Sequence, residues 1–141
     1  MSPSLWPIAI IALAAALLPE PALSEPPVPI AALRWKMRPL LVFATAGDPR
    51  LSDQRGILAA ERGAVAERDL KIIEIVDTEV HGTADTAATL RDRYEVAADS
   101  FMVVLIGKDG GEKLRSAQPI TAERLFATID AMPMRQSETG R

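Results

Sequence analysis

Residues 40–45 (LLVFAT), 70–76 (LKIIEIV) and 101–106 (FMVVLI) are short, β-rich runs with few polar interruptions. A half-exposed strand alternates apolar and polar side chains, whereas a strand covered on both faces stays apolar throughout. Three such runs call for one sheet with helices on both sides. The segments between them carry helix signals. Asp48 can cap a helix that Pro49 opens, running to about Glu67 with Leu51, Leu58 and Val65 inward. Thr83 can cap a second helix with Ala87, Leu90 and Tyr94 on one side. Thr121 can cap a third, with Leu125, Ile129 and Met132 inside and Pro133 ending it. Lys108-Asp109-Gly110-Gly111 is a tight-turn sequence, because Asp-Gly accepts the positive φ of a hairpin, and residues 112–115 return from it.

The order is therefore βαβαββα. Strands joined through a helix run parallel with a right-handed crossover, and strands joined by a tight hairpin run antiparallel. The expected fold class is α/β, with a mixed four-stranded sheet and helices on both faces. Residues 77–82 are expected to be a polar connection.

The beginning of the chain follows a different pattern. Residues 5–18 are almost wholly Leu, Ile and Ala and carry no charge. That is short of the roughly 20 apolar residues a membrane span takes, and it fits the apolar part of a secretory signal. Small residues at Ala22 and Ser24 place cleavage between Ser24 and Glu25. No Lys or Arg precedes the apolar run, so an uncleaved N-terminal anchor is the alternative. The expected organisation is a signal peptide at 1–24, an extended linker at 25–32, a folded domain at 33–135 and a flexible tail at 136–141. The expected location is the periplasm or the extracellular space, with no stable membrane span after cleavage. Arg34, Lys36 and Arg38, at alternate positions around Trp35, read as a solvated basic edge.

Export makes one absence consequential. An exported domain is free to use disulfides, yet the chain has no cysteine. Disulfides, a thiolate nucleophile and cysteine-based zinc sites are excluded for these residues. A lipoprotein is excluded too, because there is no cysteine to acylate. With His81 the single histidine, a mainly histidine-built metal site is excluded as well. The balance of 16 Lys and Arg against 19 Asp and Glu, a net charge of −3, gives no reason to expect nucleic-acid binding, which favours strongly basic faces.

Several sequence pieces occur in a telling order. Arg34-Trp35-Lys36 leads into Leu40-Leu41-Val42-Phe43-Ala44. Gln54-Arg55, Glu67-Arg68-Asp69-Leu70 and Leu90-Arg91-Asp92-Arg93-Tyr94 follow. Then come Leu105-Ile106-Gly107-Lys108-Asp109-Gly110-Gly111, Lys113-Leu114-Arg115 and Met132-Pro133-Met134-Arg135. Together they resemble domain of unknown function 4174, over about residues 33–135. The resemblance implies a thioredoxin-like fold, distantly similar to peroxiredoxins, and βαβαββα is the layout of that fold. The family also occurs in extracellular sushi-repeat proteins and has no established activity, so no catalytic residue carries over. In a thioredoxin-like fold the reactive cysteines sit between the first core strand and its helix. Here that place is Ala46-Gly47-Asp48-Pro49-Arg50-Leu51, without a thiol. Thiol–disulfide exchange and thiol peroxidase activity need a thiolate, so neither is expected.

Other chemistry could sit at the same edge, where parallel strands end and ligands often bind. Asp77, Glu79 and His81, at spacing two, would lie on one side of an extended segment and could hold a divalent metal. Arg55 near the helix start and Arg115 at the end of the returning strand could join Asp48 and the helix N-terminus around a carboxylate, phosphate or sulfate. The structural alternatives are a solvated loop, Asp48 as a plain helix cap, and an ion pair of Arg55 with Asp77 or Glu74. No Ser/His/Asp triad and no phosphate-binding glycine loop is readable. The expectation is a binding or interaction domain without catalysis or cofactor. Its partner would be another exported protein or a small anion. A small-anion or metal-binding protein or enzyme using the Asp48/Asp77/Arg55/Arg115 edge is the alternative.

Overall fold

The structure is a computed structural model that describes Pro3 and residues 25–140. Apart from Pro3, the expected signal peptide at 1–24 lies outside the described residues. A 3-10 turn, Ile30–Leu33, leads into β1 (Arg38–Ala44), α1 (Pro49–Ala59), α2 (Arg62–Glu67) and β2 (Leu70–Val76). Then follow β3 (Glu79–His81), α3 (Ala87–Arg93), β4 (Met102–Ile106), β5 (Glu112–Ser116), α4 (Ala122–Asp130) and α5 (Pro133–Thr139).

The sheet is mixed, in the order β3-β2-β1-β4-β5. β1 and β2 are parallel over seven residues, Arg38 opposite Leu70 and Ala44 opposite Val76. The other pairs, β1 with β4, β2 with β3 and β4 with β5, are antiparallel. Central β1 is buried along its whole length, which accounts for the unbroken apolar run. Its side chains divide between two cores. Leu40 and Val42 pack with Leu51, Leu58, Leu125 and Ile129 on the face covered by α1 and α4. Leu41 and Phe43 pack with Ile73, Ile75 and Leu90 on the face covered by α3. No helix among the described residues is long and apolar enough to cross a membrane.

The sheet has five strands rather than the expected four. Asp77 adopts a left-handed φ of 53°, which Asp tolerates better than most residues, and turns the chain back so that residues 79–81 pair with β2. Only Val80 of the added strand is partly buried. The first helix is broken at residues 60–61 into α1 and α2. α3 starts later than expected: Thr86, not Thr83, caps it, accepting from the Thr89 N–H at 3.2 Å. Thr83 instead donates from its hydroxyl to the Val28 carbonyl at 3.0 Å. Together with buried Ile30, that bond ties residues 28–30 to the fold, where an extended linker was expected to run on to 32. Pro133 follows the end of α4 as expected but also opens α5 from its first turn, a position proline suits. α5 therefore occupies most of the stretch expected as a flexible tail.

Gly82 closes the β3 connection at φ +100°, and a Cβ there would lie 2.8 Å from the Ile72 carbonyl oxygen. Gly82→Ala is expected to cost more than about 1 kcal/mol, from strain and the close contact together, read as a lowered urea midpoint at unchanged slope.

Candidate functional site

The carboxyl ends of β1 and β2 form the edge where the sequence placed chemistry. Asp48 caps α1, accepting from the Arg50 N–H at 2.9 Å. Its carboxylate also accepts from Arg50 Nε at 3.1 Å and Nη2 at 2.8 Å. The Arg50 side-chain hydrogen bond holds the Asp48 carboxyl below the usual carboxylate range, against the opposing effect of burial. The Arg50 guanidinium also lies over the Phe101 ring, 5.0 Å from its centre. Asp77 accepts from the Ala46 N–H at 3.2 Å, and its own N–H donates to the Ala44 carbonyl at 3.0 Å. The two aspartates therefore fasten the loop after β1 from within.

Glu79 and His81 project from β3 at spacing two, as the sequence implied. They are well exposed, 3.8 Å apart, on the outermost strand. Asp77 does not join them: among the described residues no three His, Cys, Asp or Glu side chains come together in a way that could hold a metal ion.

Arg55 forms a two-pronged pair with Glu74, Nε to Oε2 at 2.9 Å and Nη2 to Oε1 at 2.6 Å. Glu74 lies opposite Val42 in the β1–β2 register, so this pair sits on the α1 face. Arg115 donates to Glu112 Oε1 at 3.0 Å and to the Glu95 carbonyl at 3.1 Å, just past the end of α3. Arg115 lies opposite Val104, a member of the α3-side core. The sheet thus separates the two arginines. Arg55→Ala should change stability by less than about 1 kcal/mol, because the Arg55 side chain is half exposed and such pairs are worth little in water. Denaturant unfolding checks this.

The same edge holds a cavity of about 360 Å³ between Asp77, Thr78, Ala87, Ala88, Ala98 and Arg91. The sequence reading passed over Arg91. Its Nη1 is tied to the Ala97 carbonyl at 2.9 Å, and its guanidinium lies 5.6 Å from the centre of the Phe43 ring.

The opposite end of the sheet is built differently. The turn before β1 is held by the Lys36 and Met37 N–H groups, both donating to the Leu33 carbonyl at 2.9 Å. The Trp35 N–H donates to the Lys108 carbonyl at 2.6 Å. Trp35 itself has φ +69° and is 58% exposed. The left-handed conformation costs an ordinary residue roughly 1–2 kcal/mol. Arg34 stacks on its ring, 5.1 Å from the centre. On one side of this turn a cavity of about 330 Å³, mostly apolar, lies between Trp35, Met132, Pro133 and Met134. On the other, a second of about 270 Å³ lies against Arg34, Arg93 and Tyr94.

Behind the turn is a cluster of buried charge that the sequence reading did not find. Arg38, expected on a solvated basic edge with Arg34 and Lys36, is instead fully buried. Its guanidinium donates to Glu138 at 3.2 and 3.3 Å and to the Arg68 carbonyl at 2.9 Å. Lys108 Nζ bonds Glu138 at 2.5 Å and Asp69 at 2.8 Å. Arg135, also buried, reaches Glu67 at 2.9 Å and Asp130 at 3.4 Å. Arg38 Nε is buried without a hydrogen-bond partner.

The model of the family named Domain of unknown function (DUF4174) matches residues 29–138. The chain belongs to this family. No protein of curated function matches it in sequence. In structure, this DUF4174 domain is similar to a reduced 2-Cys peroxiredoxin of Plasmodium vivax. That match has 15% identity and a TM-score of 0.55, over 79% of this chain and 72% of the other. It is also similar to a thioredoxin-fold protein of Helicobacter pylori. There the identity is 13% and the TM-score 0.51, over 73% of each chain. At these identities the likeness shows the fold alone: the DUF4174 domain is thioredoxin-like.

Proposed function

We propose that this DUF4174 domain is exported and works as a binding or interaction domain, without thiol chemistry. The observation that carries the reading is Trp35, a large apolar side chain held in solvent by a backbone conformation that costs free energy. Tryptophan and arginine are the residues most enriched in the few contacts that dominate protein recognition, and here Arg34 stacks on Trp35 beside two cavities. At the other end, the loop in the place of a thioredoxin-like cysteine pair has no thiol, and its Asp48 carboxylate is engaged by Arg50. The apolar leader supports export to the periplasm or beyond.

Two measurements test this. Protein expressed with its leader should leave the cytoplasm with Glu25 as its first residue and should give no turnover of peroxide or disulfide substrates. Retention in the cytoplasm, or turnover above the blank, sinks the reading. The second measurement is the stability of Trp35→Gly. If the ring serves recognition, relief of strain and the entropy of glycine nearly cancel, leaving a change within about 1 kcal/mol. A loss above about 2 kcal/mol, the cost of removing a buried ring contact, assigns Trp35 to the fold instead.

A further inference from the structure

Eleven arginines lie in the described stretch, and most are engaged by carboxylates or carbonyls. Arg38, Arg50, Arg55, Arg68, Arg115 and Arg135 each have a carboxylate within 4 Å. Arg34 and Arg93 have neither a carboxylate nor a hydrogen-bond acceptor among the described residues, and both line the cavity of about 270 Å³. Both are exposed, as are Arg62 and Arg124, which also lack such a partner, but only Arg34 and Arg93 share a cavity. The Arg34 guanidinium lies against the Trp35 ring, 5.1 Å from its centre, and its side chain runs beside Gly110 at van der Waals distance. Arg93 is the last residue of α3, and the next residue, Tyr94, packs into the α3-side core and forms part of the cavity wall. Ile30, Met37, Pro39 and Ile106 complete an apolar lining, and Pro39 brings no backbone N–H to it. The cavity thus combines two cations lacking counter-ions with a floor that offers little to a hydrated ion.

We infer that this cavity binds a small organic carboxylate with an apolar body: the carboxylate accepts hydrogen bonds from Arg34 and Arg93, and the body covers the floor beside Tyr94. Guanidinium groups match carboxylates with two parallel hydrogen bonds, and these are stronger than neutral ones. A volume near the lower end of small-ligand pockets suits a compact molecule rather than a length of polypeptide. The inference deepens the binding reading above and rests on it.

The chain carrying Trp6→Phe has Trp35 as its single tryptophan, so fluorescence reports from the stacked Arg34. Benzoate is the probe, with benzamide as its uncharged counterpart and inorganic phosphate as an anion without an apolar body. Benzoate should saturate the signal with a Kd tighter than about 1 mM. Benzamide and phosphate should bind at least tenfold more weakly. Calorimetry should show benzoate affinity falling tenfold or more in Arg34→Gln and in Arg93→Gln, and unchanged in Arg124→Gln on α4. No saturable response to benzoate, equal binding of phosphate, or undiminished affinity in both glutamine variants overturns the inference. Any of these in a protein that is exported and inert toward thiol substrates leaves the broader reading standing. Thiol turnover is what removes that reading.

Discussion

Glu138→Gln is expected to lower the stability of the domain by about 2–3 kcal/mol. Breaking a buried ion pair by removing one partner costs roughly 3–5 kcal/mol, because the charge left behind stays out of water. The lower figure applies here, since the Glu138 side chain is 27% exposed while Arg38 keeps the Arg68 carbonyl and Lys108 keeps Asp69. Burial opposes the charge on Glu138, but hydrogen bonds from Lys108 and Arg38 outweigh it and hold the carboxyl below its ordinary value near 4.5. Asp130 is likewise held low, chiefly by its hydrogen bond from Arg68. A carboxyl with a lowered folded pKa contributes stability that is fully present above its unfolded pKa and is lost as pH falls through the folded one. The native chain should therefore lose stability as pH falls below about 4.5, and Glu138→Gln should lose less over that window. Urea unfolding at pH 7 and at pH 4 measures both effects. Equal pH dependence in the two proteins would show that the cluster does not couple to folding.

Gln54→Leu should cost about 3 kcal/mol, although leucine is the more apolar residue. Gln54 is fully buried in α1 and grips one residue from both sides. Its Nε2 donates to the Ile120 carbonyl at 3.1 Å, and the Ile120 N–H donates to its Oε1 at 2.7 Å. Ile120 is itself buried just before α4, so leucine would strand both backbone groups away from water. Each buried unsatisfied group costs about 1–3 kcal/mol, partly offset by the added apolar contact. A Gln54→Leu protein as stable as the native one would mean that Ile120 finds other partners.

These two residues show where sequence reasoning succeeds and where it stops. Central β1 is buried on both faces and leaves an unbroken apolar run, and β2 is legible to its last residue through its Leu, Ile and Val despite Lys71 and Glu74, while the helices next to β1 and before the C-terminus announce themselves at Asp48 and Thr121. β3 offers only one partly buried side chain in three residues, too little to stand out from a polar loop. Thr83, passed over as cap in favour of Thr86, is instead engaged with Asp85 and with the Val28 carbonyl 55 residues away. Glu138 sits in a polar stretch that reads as solvated, and its partner Arg38 lies 100 residues away. Gln54 was within reach: it falls three residues after Leu51 and four before Leu58, on the inner stripe of α1. Arg55 and Arg115 fail to converge because a sheet lies between them, which spacing alone does not reveal. Trp35 was seen, but its exposure follows from a left-handed backbone angle that no sequence pattern marks.

The most direct test asks which end of the sheet works. A 15N-labelled chain titrated with benzoate gives a backbone amide map of the contact. The expected result is saturable shifts confined to residues 34–37, 93–95 and 107–111, around Trp35, Arg93 and the β4–β5 hairpin. Shifts centred instead on residues 45–50 and 77–82, at the edge where a thioredoxin-like fold places its thiols, or no shifts at all, would contradict the assignment of binding to the Trp35 end.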